Sequence, residues 1–156
     1  MNPCPCGHLG SALRACRCTP DAVARYQGRI SGPLLDRIDV QVEVPAVPPE
    51  ALSAAPDGEP SSQIAQRVAT ARTRAWARQG IANALLAGEA LDVHGALDDR
   101  AAKFLQTTAA RLGWSARGFH RVLRVARTIA DLADRDRIIV GDIAEAVQYR
   151  RVLAAR

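Results

Sequence analysis

S-A-R-G-F-H-R-V-L-R-V-A-R-T-I-A-D-L, Ser115 to Leu132, is the longest amphipathic stretch of this 156-residue chain. Phe119, Val122, Leu123, Ala126, Ile129 and Ala130, continued by Ala133, recur at three- and four-residue spacing. That period puts them on one face of a helix, and Ser115 is a good N-cap for it. Outward from this helix the pattern repeats. Asp98 is placed to cap a helix to about Leu112, ended by Gly113. Ser61 or Ser62 caps another to about Gln79, with Ile64, Val68, Ala71 and Ala75 as its apolar stripe. Asp142 opens a last one, Ile143 to about Leu153, while Gly80, Gly88 and Gly95 break residues 80–97. Residues 61–156 therefore read as a bundle of roughly four helices.

Upstream the texture changes. Pro45, Pro48, Pro49, Pro56, Gly58 and Pro60 mark residues 45–60 as a linker. Before it, Ile38, Val40, Val42 and Val44 alternate with Asp39, Gln41 and Glu43, the pattern of a half-buried strand. Thr19 or Asp21 caps a short helix from Pro20 to Gln27, and Pro33 starts another over Leu34 to Arg37. The expected fold is mainly α. Residues 1–44 carry one clear strand. Because one strand cannot hold a sheet, either this fragment packs on the bundle or its sheet partners lie upstream, and the second reading fits the missing phosphate loop.

Ala and Arg dominate the composition, aromatic content is 4%, and the apolar runs fall short of a membrane span. No basic segment followed by an apolar run opens the chain, so a cytoplasmic, reducing setting is expected. Charge is uneven. Residues 1–61 hold five arginines against seven acids, a net of −2, and residues 62–156 hold sixteen basic residues against nine acids, a net of +7. A basic helical half suits nucleic acid and equally suits a solvated helical surface.

All four cysteines fall within the first 18 residues, as C-x-C-x₉-C-x-C: Cys4, Cys6, Cys16 and Cys18. In a reducing compartment such a cluster reads as metal ligands before it reads as disulfides. Four thiolates satisfy a tetrahedral Zn²⁺ and close it, which makes the site structural. The C-x-C bite is tighter than the commoner C-x₂-C, and Pro5 and Gly7 favour the turn. His8 is a spare ligand; reduced free thiols and oxidised disulfides are the alternatives.

R-I-S-G-P-L-L-D-R-I-D, Arg29 to Asp39, sets an arginine between two acids after a short helix, a charge suited to presentation across an interface. No G-x-x-x-x-G-K-[ST] phosphate loop occurs in the sequence. Taken with N-P-C-P-C-G (from Asn2), C-R-C (from Cys16), S-A-R-G and V-A-R-T-I-A-D-L, this stretch resembles the Mg-chelatase-like AAA+ ATPases of the ComM/YifB type. The motifs occur in family order over nearly the whole chain. The resemblance implies a C-terminal portion only. Residues 1–44 would close an AAA+ α/β core, residues 45–60 would link, and residues 61–156 would form the helical lid.

It also implies roles. Asn2 matches the sensor-1 asparagine that positions the attacking water. Arg37 matches the arginine finger offered to a neighbouring subunit's γ-phosphate. Arg117 matches the sensor-2 arginine at a helix start, with Arg121 one turn on able to share or own that role. ATP and Mg²⁺ would come only with the missing core; Zn²⁺ is an expectation of the cysteine cluster itself and not of the resemblance. Partners would be that core or neighbouring subunits in a ring, and DNA, as in branch migration during recombination or natural transformation; no membrane is expected. Alone, without a phosphate loop, the chain is not expected to hydrolyse ATP. The alternatives are an ATP-independent DNA-binding or protein-interaction module and a metal-insertion subunit, the latter without any tetrapyrrole site in the sequence. His94 and His120 are isolated, and Trp76 and Trp114 read as packing anchors.

Overall fold

The computed structural model of the protein describes residues 1–53 and 58–151. Among them are eight α-helices: α1 Pro20–Gln27, α2 Gly32–Leu35, α3 Pro49–Ser53, α4 Ser61–Gln79, α5 Gly88–His94, α6 Asp99–Arg111, α7 Ala116–Leu132 and α8 Val140–Arg151. A 3₁₀ turn covers Asn83–Leu85. The fold is mainly helical. Two compact units divide it, one built on Met1–Ile38 with the segment from Glu43, the other on Asp39–Val42 with the chain from Gly58.

Side-chain N-caps set four of the eight helix starts. Thr19, Ser31, Asp98 and Ser115 each accept a backbone N–H of the first turn, and Pro20 and Pro33 occupy early positions where no amide is needed. α4 starts after Pro60 without a side-chain cap, so neither Ser61 nor Ser62 plays the expected part. α8 starts at Val140, ahead of Asp142, whose carboxylate reaches back to accept the Ile139 amide at 3.0 Å. Asp142 thus serves as the returning acid of a capping box. The expected end of that helix near Leu153 lies outside the described residues. α3 lies inside the expected linker, and α5 inside the stretch expected to be broken.

The larger unit closes around α7. Val122, Leu123, Ala126 and Ala130 are buried with Leu86, Leu91, Ala101, Leu105, Ile138, Ile143, Ala146 and Val147, and Phe119, Ile129 and Trp114 pack on this cluster. α7 contacts α8 and α4, and α6 contacts α8. Ala133, expected on the buried face, is exposed, and Trp76 is half-exposed on α4. Gly95 ends α5 where a Cβ would fall 2.5 Å from the Leu91 carbonyl and 3.1 Å from Leu123, so only glycine fits between α5 and α7.

The expected strand over Ile38–Val44 does not form. Among the described residues the only β pairing is a single parallel bridge between Leu97 and Ile138. The alternation is real, but a strand persists by pairing with neighbours, and here none is present. Val40, Val42 and Val44 lie exposed instead. Asp39–Val42 is held by other means: the Gln41 amide donates to the Tyr149 carbonyl at 2.8 Å, and Asp39 pairs with Arg121. No helix among the described residues is long and apolar enough to cross a membrane.

Candidate functional site

Arg37 follows α2, a single turn whose start is fixed by Ser31: its hydroxyl accepts the Leu34 amide at 3.3 Å. The Arg37 amide donates back to the Leu34 carbonyl at 3.0 Å, which extends the turn and leaves the side chain exposed. Asn2, also exposed, sits beside the cysteine-bearing loop. A Cβ on Gly7 would stand 3.5 Å from the Asn2 side-chain nitrogen, and the neighbouring Pro3 carbonyl accepts Gln27 Nε2 of α1 at 2.9 Å.

The two α7 arginines differ. Arg117 is exposed in the first turn of α7, beside first-turn amides that the Ser115 cap only partly satisfies. This is a good place for anionic oxygens. Arg121, one turn on, is mostly covered and forms an ion pair with Asp39.

The four cysteine sulfurs converge within 4.8 Å of one another, and Cys4 is buried. Cys4–Cys6 is 3.4 Å, Cys4–Cys16 3.7 Å and Cys6–Cys16 3.6 Å. His8 is not part of the grouping. Backbone amides of Arg17 and His8 favour the Cys6 thiolate and bring its pKa down to about 6. The Cys18 amide favours the Cys16 thiolate in the same way. There burial and the Cys6, Cys4 and Cys18 sulfurs prevail, and the pKa is pushed up to about 12. Sulfurs this close cannot all ionise without a cation between them. The arrangement is one that can hold a metal.

A polar centre that the sequence reading did not single out lies within V-A-R-T-I-A-D-L. Arg127 and Asp131, one turn apart on α7, are both buried. The Asp131 carboxylate accepts Arg78 Nη1 at 2.6 Å and Nη2 at 2.9 Å, Asn83 Nδ2 at 2.8 Å and Arg127 Nη2 at 3.0 Å. Arg127 also donates to the carbonyls of Asp136 at 2.7 Å and Arg135 at 2.6 Å. One carboxylate thereby joins α4, the 3₁₀ turn and α7, while Arg127 ties α7 to the loop before α8. The i,i+4 spacing of Arg127 and Asp131 was the only local signal of it.

With this geometry in view, comparison with known proteins is decisive. Residues 58–150 match the family model described as magnesium chelatase, subunit ChlI C-terminal, and residues 1–52 match that of magnesium chelatase, subunit ChlI. The chain belongs to the Mg-chelatase-like family of ComM and YifB. It is 42% identical over 153 residues to YifB of Salmonella typhimurium and, likewise, to YifB of Escherichia coli, covering 97% of this chain and 30% of each relative. It is 39% identical over 154 residues to the competence protein ComM of Haemophilus influenzae, covering 98% of this chain and 30% of ComM. The chain thus spans about a third of the length of these curated relatives.

The break between the two family matches falls at residues 53–57, where the chain passes from α3 toward α4. Asn2, the cysteines and Arg37 lie in the ChlI match, and Arg117, Arg121 and the Asp131 centre in the ChlI C-terminal match.

Proposed function

We propose that this chain is the finger-and-lid portion of a Mg-chelatase-like AAA+ ATPase acting on DNA. In that reading Arg37 projects its guanidinium to the γ-phosphate held by a neighbouring subunit. Asn2 orients the attacking water with its neutral amide, which both donates and accepts. Arg117 meets the nucleotide phosphates at the start of α7. ATP and Mg²⁺ come with the core that carries the phosphate loop. The name of the Haemophilus relative places that protein in competence. For this chain, DNA as the object of the motor is an extension supported by the +7 balance of residues 62–156. The subunits would assemble as a ring in the cytoplasm.

The observation that carries the reading is the contrast on α7. Arg117 stands exposed at a capped helix start, while Arg121 is committed to Asp39. Arg117 is therefore preferred for the phosphate contact. Arg37→Ala in the complete ATPase is expected to lower turnover by roughly 10³–10⁵-fold while leaving ATP binding intact. Turnover at the wild-type rate would overturn the assignment.

The basic helical half also favours a second reading, an ATP-independent DNA-binding module. Phosphate contacts would then make the isolated chain's DNA affinity fall steeply between about 50 and 200 mM salt. Under the motor reading, binding by the isolated chain is weak at both salt concentrations.

A further inference from the structure

We propose that Cys4, Cys6, Cys16 and Cys18 form a closed tetrathiolate Zn²⁺ site that fastens the Asn2-bearing segment to the start of α1. The inference stands on the sulfur geometry and does not depend on Asn2 touching a nucleotide. Zn–S bonds of about 2.3 Å in a tetrahedron put the sulfurs about 3.8 Å apart. The three closest pairs measure 3.4, 3.6 and 3.7 Å, and all four sulfurs lie within 4.8 Å of one another. Cys4, Cys6 and Cys16 form a triangle of near-equal sides, so the sulfurs converge on a point. Two disulfides would separate them into pairs bonded at about 2.05 Å.

The loop is built to receive charge. Backbone amides of Cys6, His8, Leu9, Arg17 and Cys18 are directed at the sulfurs. Such donors stabilise thiolates bound to a cation. The turn that brings Cys6 beside Cys4 is closed by the Gly7 amide on the Cys4 carbonyl at 3.0 Å, with Gly7 at φ +80°, a conformation glycine adopts without strain. Four soft ligands at single-ion spacing select zinc over hard cations. With every position taken by sulfur, no open site remains for catalysis.

The consequence is mechanical. Cys18 immediately precedes Thr19, the N-cap of α1, and Cys4 follows Pro3, which Gln27 of α1 already holds. A metal at the sulfurs adds a second fastening at the other end of α1. Asn2, packed beside Gly7, is then fixed by the same turn.

The test begins with the reduced 156-residue chain, purified from zinc-replete cells and assayed for metal by mass spectrometry. One zinc per chain is expected. The apo chain, titrated with Zn²⁺ against a chromophoric chelator, should take up one equivalent. Co²⁺ in its place should give the intense visible bands of tetrahedral thiolate cobalt. Hydrogen exchange over residues 1–27 should slow on adding zinc, while exchange in α7 stays unchanged. Cys4→Ser should lose the bound metal and keep the helical circular dichroism of the larger unit. The proposal is overturned if the reduced apo chain fails to compete with the chelator, if Cys4→Ser retains stoichiometric zinc, or if a single iron is found instead.

Discussion

Asp131→Ala tests the polar centre of the larger helical unit most severely. The carboxylate is 3% exposed, and Arg127 beside it is 0% exposed. Removing Asp131 leaves Arg127 with two carbonyl acceptors and no counter-charge, and takes from Arg78 both of its bonds to the carboxylate. Breaking a buried pair from one side costs about 3–5 kcal/mol, because the surviving charge stays desolvated. The lost hydrogen bond to Asn83 adds to this. At roughly 4 °C or more per kcal/mol for a unit of about 100 residues, the melting midpoint should fall by at least about 12 °C. Thermal melts followed at a helical wavelength, with urea titration to obtain the free energy, measure it. Arg127→Met together with Asp131→Leu removes both buried charges and should recover a large part of the loss, since apolar replacements of buried ion pairs are often neutral. A loss below about 1 kcal/mol for Asp131→Ala, or a double variant worse than the sum of the singles, would refute the argument.

Further expectations concern neighbouring features. Burial alone would raise the Asp131 pKa, but bonds from Arg78 and Asn83 and the charge of Arg127 outweigh it and hold the carboxyl below its ordinary value. A depressed folded pKa gives stability that is present above the ordinary carboxylate range and lost as pH falls through the folded value. Acid melts should therefore show a loss below about pH 4 that Asp131→Asn largely removes. Gly95→Ala, which forces a Cβ onto the Leu91 carbonyl and Leu123, should destabilise by about 1–3 kcal/mol in the same urea assay. Asp39→Ala should cost at most about 1 kcal/mol, because Asp39 is 43% exposed in its pair with Arg121, and hydrogen exchange over residues 39–42 should rise. Arg117→Ala should leave the unfolding free energy within about 0.5 kcal/mol of wild type. The same change in the complete ATPase should weaken nucleotide binding.

Local chemistry made much of this fold readable. α1 and α4 run between the residues that the sequence pattern indicates, and α6 and α7 fall within a residue of it. Caps and apolar periodicity act within a few residues, so no distant contact is needed to see them. α5 was missed because Gly88 and Gly95 were read as breaks. They bound a helix instead, Gly88 at φ +52° at its start and Gly95 at its end. The strand over Ile38–Val44 failed because alternation reports a face, whereas a strand also needs a neighbour. In the site, the cysteine convergence was legible from C-x-C-x₉-C-x-C alone. The Asp131 centre was not, because Arg78 and Asn83 reach it from 53 and 48 residues away. The pairing of Arg121 with Asp39 spans 82 residues and was equally hidden.

The most direct test of the motor reading asks whether Arg37 acts across a subunit boundary. Two forms of the complete ATPase are needed: one carrying Arg37→Ala with its phosphate loop intact, the other with Arg37 intact and its phosphate loop disabled. Each alone should be inactive. Mixed as rings, they should regain ATP turnover, because some boundaries then join an intact loop to an intact Arg37. Mixed rings as inactive as either parent, or an Arg37→Ala form that turns over ATP by itself, would contradict the account.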